Sequence, residues 1–270
     1  MTIDTRDHLI RALGNASTQA VWDKASLANA LAGQWFSFWT AAGLPGTGVA
    51  PAAAVVPTNA TLGAPSFPNQ VAPVTSYLGH GVLTSGLNLA AVEFHDRLAH
   101  MGGLSGTVTT AQGGLDLAVT NPGAERLGRA NFADVQWWLE VYAPLGATGV
   151  NATVAVTYDD ASTGTLPVIA LGATPRQGRM YPINPVNGRF IRAVNSVTLS
   201  ATTGTAGNFG ITATGYKTAI NSALANMAVE RDWAQLGLAN VPNNACLFPV
   251  QFCSGTATGT LRSTLRLVHG

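Results

Sequence analysis

The chain has 270 residues, of which only 10% are charged, well under half of the roughly 25% in an average globular domain. Its 14 Lys and Arg against 13 Asp and Glu leave a formal net charge of +1, which argues against the basic footprint of a nucleic-acid binder and the charged composition of a disordered tail. No window approaches the roughly 18 uninterrupted apolar residues of a membrane span, and the start MTIDTRDHLIRAL lacks the pattern of a secretory signal, so none is expected.

Along the chain, Asp4–Leu13 reads as a short helix, capped by Asp4 or Thr5 and stopped by Gly14. A stronger helix is expected from about 25 to 42. Asp23 is its N-cap, Gly43 and Pro45 end it, and Leu27, Leu31, Trp35 and Trp39 recur at every fourth position, with Phe36 beside them. That aromatic face is read either as core or as a surface that docks on another subunit, because large aromatics anchor interfaces. Residues 44 to about 76 are rich in Pro, Ala, Gly and Thr, which excludes a regular helix and disfavours a central strand. The stretch is expected to be extended, either as a free linker or as an arm over a neighbouring subunit.

From residue 77 onward the pattern is β. Strands are expected at Leu115–Val119, Val135–Tyr142, Val150–Tyr158, Leu166–Leu171, Phe190–Ser200, Phe209–Tyr216, Cys246–Phe252 and Thr260–Val268. The turn DDASTG makes a hairpin of the third and fourth, and a short helix is expected around Arg231–Leu238. Short strands separated by Gly, Thr, Asn and Pro turns favour an antiparallel sandwich. The expected fold is therefore mainly β: an antiparallel β-sandwich or jelly-roll-like domain over 77–270, with an N-terminal helical and extended Pro/Ala-rich arm over 1–76. On this reading the sandwich folds without residues 1–75.

Chemistry is sparse. Phosphate-loop, dinucleotide, nucleophile-elbow and zinc-protease motifs are all missing. The run EFHDRLAH gathers Glu93, His95, Asp96 and His100 within eight residues, but Arg97 puts a cation where a metal would sit. A structural turn with an Asp96–Arg97 pair is the expected reading, and Asp159–Asp160 is read as a turn former. Cys246 and Cys253 are seven apart, so on an unbroken strand they face opposite sides and read as two small buried hydrophobes. Trp137 and Trp138 are adjacent in a strand and also face opposite sides; one is core, and the other is core, a subunit contact or a sugar platform. No catalytic residue, cofactor site or metal site is assigned. Leu31, Trp35, Phe36, Trp39, Trp137 and Trp138 are the candidate subunit-contact residues.

Three pieces carry a family resemblance: DKASLANALAGQWFSFWTAAGLPGTG; HDRLAHMGGLSGTVTTAQ with VQWWLEVYAPLGATGVNATVAVTYDDASTG; and VNSVTLSATTGTAGNFGITATGY with CLFPVQFCSGTATGTLRSTLRLVHG. Together they resemble a loosely defined group of tailed-phage virion structural proteins. The resemblance implies a non-enzymatic, capsid- or tail-associated protein assembled in the host cytoplasm, and brings no catalytic residues. The expected function is a capsid decoration or cement protein whose partners are the major capsid protein or other virion subunits. Homo-oligomerisation is expected, with no nucleic acid and no membrane as partner. A tail-tube or tail-fibre protein is the alternative within the class, and a carbohydrate-binding sandwich using Trp137 or Trp138 the alternative outside it. The charges are also unevenly spread: residues 30–92 contain no Asp, Glu, Lys or Arg. That stretch is the expected contact surface.

Overall fold

A computed structural model describes residues 3–270. Helix α1 (Arg6–Asn15) is followed by strands β1 (Ser17–Lys24), β2 (Gln34–Ser37) and β3 (Gly43–Leu44). Next come β4 (Ser76–Ser85), the long β5 (Ala90–Leu104) and β6 (Leu115–Asp116), then the short helices α2 (Leu117–Thr120) and α3 (Ala124–Leu127). The middle of the chain supplies β7 (Val135–Ala143), β8 (Val150–Tyr158), β9 (Thr163–Thr165), β10 (Ile169–Gly172), β11 (Arg179–Ile183) and β12 (Ile191–Leu199). The long β13 (Asn208–Ser222), β14 (Ala228–Asp232), β15 (Asn240–Val241), β16 (Leu247–Cys253) and β17 (Leu261–His269) complete it. The fold is mainly β and antiparallel. One sheet runs β14-β4-β17-β1-β3 with β15 beside β4, a second runs β10-β8-β12-β6 with β9 beside β8, and β11-β2-β16-β5-β13-β7 is a closed barrel.

Two compact units divide the chain, and the division does not fall at residue 76. The first comprises Met1–Gly48, Thr58–Asp96 and Lys217–Gly270; the second comprises Val49–Pro57 and Arg97–Tyr216. In the first unit β1 lies between β17 and β3, and its inward residues Ala20 and Trp22 join Phe38, Leu78, Leu83, Phe94, Leu265 and Leu267 in one core. Trp22 packs on Phe94 with ring centroids 5.2 Å apart. Losing such a side chain costs about 3–5 kcal/mol, so β1 and β3 are built into this sheet and are not a removable arm. The second unit's core runs from Leu98 and Leu139 through Val154 and Val156 to Val197 and Ile211.

The expected helix over 25–42 is absent. Asn29 and Gly33 take left-handed φ values of 61° and 75°, which a right-handed helix does not accept. A spacing of four suits a helix, but it is also a multiple of the strand period, and the aromatics Trp35 and Phe36 enter β2 instead. The helix expected around Arg231–Leu238 is replaced by the end of β14 and a turn in which Leu236 N–H donates to Asp232 O at 3.0 Å. Helix α1 does form, with Thr5 as its cap, but it runs through Gly14 and buries Leu9 and Ala12 against Val268.

The Pro/Ala-rich stretch lies on its own chain. In the first unit, an added Cβ at Gly48 would fall 2.2 Å from the Trp39 indole, and one at Gly63 3.0 Å from it, so glycine is what allows the backbone to lie on the ring. In the second unit, Val55 and His100 exchange backbone hydrogen bonds, both at 3.0 Å.

Candidate functional site

The EFHDRLAH run is an internal segment of β5, not a turn. Glu93 and His95 share a face, as a period of two requires, and His95 Nε2 lies 2.9 Å from Glu93 Oε2. Asp96 Oδ1 accepts the Cys246 N–H at 2.7 Å. The expected Asp96–Arg97 turn is corrected: Arg97, fully buried, grips Glu140 on β7 with two bonds, Nη1 to Oε2 at 2.6 Å and Nη2 to Oε1 at 2.9 Å. Thr212 Oγ1 donates to Glu140 Oε2 at 2.6 Å and Tyr142 OH to the same oxygen at 3.1 Å. His100 Nδ1 stands 3.1 Å from Tyr142 OH. Arg97, His100, Glu140, Tyr142 and Thr212 all belong to the second unit.

Its electrostatics follow from burial. Burial alone opposes ionisation of Glu140, but the Arg97 guanidinium and the hydrogen bonds from Arg97 and Thr212 outweigh it, and the net shift of its pKa is downward. For His100, burial first and the neighbouring Arg97 second push the pKa down to about 3, so the imidazole is neutral at pH 7. Burial, then the Glu140 charge, hold the Tyr142 phenol above its ordinary range. Arg97, Glu140 and Thr212 are each 1% exposed or less. The arrangement fastens β5, β7 and β13 to one another. Among the described residues, no three His, Cys, Asp or Glu side chains gather as a metal-ligand set.

One further pair has the look of a nucleophile and its base. Ser76 Oγ lies 2.9 Å from His269 Nδ1 in the first unit. A triad needs an acid to orient the imidazole, and here the other ring nitrogen meets the Thr18 hydroxyl at 3.1 Å. Cys246 and Cys253 are not joined in a disulfide, and both are buried.

The six aromatic and apolar candidates separate into two groups. Phe36, Trp39, Trp137 and Trp138 are all at most 5% exposed, which corrects their reading as subunit contacts. Trp39 meets Phe248 edge-on at 6.3 Å, Trp137 Nε1 donates to Ile191 O at 2.9 Å, and Trp138 Nε1 donates to Thr214 Oγ1 at 3.0 Å. Neither Trp137 nor Trp138 can serve as a sugar platform, because both indoles are sealed and their N–H groups are spent inside. Leu31 is exposed, and Trp35 is half-buried against Phe252 at 5.0 Å. Of fifteen large apolar side chains exposed among the described residues, seven fall between Leu31 and Leu89. The charge-free stretch is about a quarter of the chain and holds nearly half of them. Val71 is 83% exposed and Leu89 72%.

No protein-family model and no curated protein matches the chain. Among solved structures it is similar to the infectious bursal disease virus VP2 subviral particle, at 9% identity over 93% of this chain and 79% of that one, with a TM-score of 0.18. A structure of the Gx strain of the same virus gives 11% identity, 94% and 80% coverage, and a TM-score of 0.18. A likeness at that score carries no argument about fold or function. Among the described residues, no helix is long and apolar enough to cross a membrane.

Proposed function

We propose that the chain is a non-enzymatic virion structural protein, specifically a capsid decoration or cement protein of a tailed phage that stabilises a head shell through inter-subunit contacts. One observation carries the reading. A stretch of the chain without a single Asp, Glu, Lys or Arg presents seven exposed large apolar side chains. Interface cores are depleted in charge in this way, and an uncovered surface of that kind is a solubility liability. The resemblance of the three sequence segments to phage virion proteins supplies the class, and the consumption of the buried polar clusters in internal hydrogen bonds supports a non-enzymatic role. In a shell, each copy contributes modest area, symmetry multiplies it, and preference for assembled over loose subunits becomes stabilisation of the particle.

Immunogold electron microscopy of virions carrying the protein, with mass photometry of the purified chain, tests this. Label on the head shell, lost when Leu62→Glu and Leu89→Glu are introduced together without change in circular dichroism, supports it. Label confined to the tail replaces it with the tail-tube or tail-fibre alternative. A monomer absent from particles overturns it.

A further inference from the structure

The first unit contains a groove of about 560 Å³ on the outer face of its five-strand path, lined by His80, Arg266, Gln19, Asp232, Trp233 and Leu13 among others. Its floor is a cross-strand row. Gln19 on β1 pairs in register with Arg266 on β17, Arg266 with His80 on β4, and His80 with Asp232 on β14. Side chains of directly paired residues lie on one face of a sheet, so four planar polar groups stand side by side across four strands. Val82 and Thr264, paired with each other, form the next row.

The backbone is shaped to build that row. Along β4, Leu78 faces the core and His80 faces outward, although a regular strand would put residues two apart on the same side. The register explains it: Leu78 pairs with Leu267 and His80 with Arg266, so Gly79 is an extra residue, a β-bulge. Bulges re-aim side chains and recur beside functional sites. Only glycine fits there, since an added Cβ would meet Val268 at 2.7 Å and Leu13 of α1 at 3.1 Å.

The row is also largely unspent. His80 and Gln19 make no side-chain hydrogen bond or ion pair within the described residues, and Arg266 gives one long bond, Nη1 to Leu13 O at 3.4 Å. Asp232 Oδ1 accepts from Gln235 N–H at 2.9 Å, which leaves its other oxygen open. Donors and acceptors therefore stand side by side on a floor that carries both Arg266 and Asp232, and Trp233 also lines the groove.

We propose that this groove binds a neutral saccharide of one or two units. A pyranose presents vicinal hydroxyls that both donate and accept, which suits planar side chains such as Arg266, Gln19, His80 and Asp232. It also presents an apolar C–H face, which suits an indole wall. A phosphate or carboxylate is a poorer fit, because Asp232 sits in the same row as Arg266. The groove lies within the usual range of small-ligand sites, about 300–1,000 Å³.

Saturation-transfer-difference NMR on the full chain, with glucose, galactose, mannose, N-acetylglucosamine and their β-linked disaccharides as probes, tests the assignment. At least one probe gives transfer from Trp233 ring protons. His80→Ala and Gln19→Ala, which break no internal bond, each weaken binding about threefold to tenfold with the melting curve unchanged, as expected for one lost hydrogen bond. Trp233→Phe keeps the wall and retains binding. Failure of every probe to give transfer, or transfer that the His80 and Gln19 variants leave untouched, overturns it. Neither outcome bears on particle association, which is read separately.

Discussion

The Arg97–Glu140 pair provides the most demanding test of how the second unit is held together. Glu140→Gln keeps the size and one acceptor oxygen but removes the charge, leaving the Arg97 guanidinium buried without compensation. Breaking a buried pair in this way costs about 3–5 kcal/mol, a large share of the ~5–15 kcal/mol by which a protein is stable. The structure supports the upper part of that range, because the carboxylate accepts from Arg97 twice, from Thr212 and from Tyr142, all within 3.1 Å. The double variant Arg97→Met/Glu140→Leu behaves differently. It removes both charges, and the polar groups left behind can satisfy each other, since Tyr142 OH lies 3.1 Å from both Thr212 Oγ1 and His100 Nδ1. Its loss is therefore expected to be smaller than that of either Arg97→Met or Glu140→Leu alone, each of which strands one buried charge, giving a coupling of at least ~2 kcal/mol. Urea denaturation followed by circular dichroism measures the free energies, and hydrogen exchange over Val135–Ala143 locates the loss. A single-variant cost below ~1 kcal/mol, or a double variant as unstable as the two singles added, would refute the reasoning.

Two further predictions rest on buried groups. Because the folded His100 titrates near pH 3 and an unperturbed histidine near 6.5, the unfolded chain binds a proton in that window that the folded chain refuses. Stability is therefore full above pH 6.5 and falls on acidification towards 3, by up to ~1.4 kcal/mol per pH unit; Glu140, whose folded pKa is depressed, loses its contribution only below the ordinary carboxylate range. Urea midpoints at pH 7, 6 and 5 should fall more steeply for the native chain than for His100→Gln, and parallel slopes count against the assignment. Lys24 Nζ donates to Ala41 O at 3.1 Å, Pro45 O at 2.6 Å and Gly46 O at 3.3 Å. Burial lowers its pKa to about 8, so at pH 7 it remains an ammonium with three donors. Lys24→Met should cost about 1–3 kcal/mol and open residues 41–46 to limited proteolysis; an unchanged cleavage pattern would show that the loop is held by something else.

How much of this was legible in the sequence depended on whether side-chain period and burial agreed. Val150–Tyr158 was found to the residue, because its alternation of Val, Ala and polar residues matches one buried face. Phe190–Ser200, Cys246–Phe252 and Thr260–Val268 lie within a residue of β12, β16 and β17 at each end. β1 was missed because Lys24 occupies an inward position that reads as outward, and its three carbonyl partners are invisible in one dimension. β4 was not delimited because the extra Gly79 shifts the phase of the alternation halfway along. The polar run His95–Arg97 is fully buried, against the rule that charge marks the surface. Glu140 did carry a signal: a lone acid inside VQWWLEVY, in a chain so short of charge, needs a buried partner. That the partner is Arg97, 43 residues away, only the cross-strand arrangement shows.

The scarcity of charge is sharper in three dimensions than in the composition. Of the 14 Lys and Arg and 13 Asp and Glu, five are buried: Lys24, Asp96, Arg97, Arg126 and Glu140. Each has an internal partner; Arg126, for example, donates to Pro57 O at 2.9 Å and Arg97 O at 2.8 Å. A chain with few charges has thus committed several to fastening its interior, leaving its surface poorer still. Folding and surface character are consequently separable here. The interior charges govern stability, whereas Leu62 and Leu89 are exposed and should accept a charge without unfolding the chain. If the neutral stretch existed only to fold, charging it would change little. If it exists to be covered, charging it should abolish association and leave the melting curve where it was.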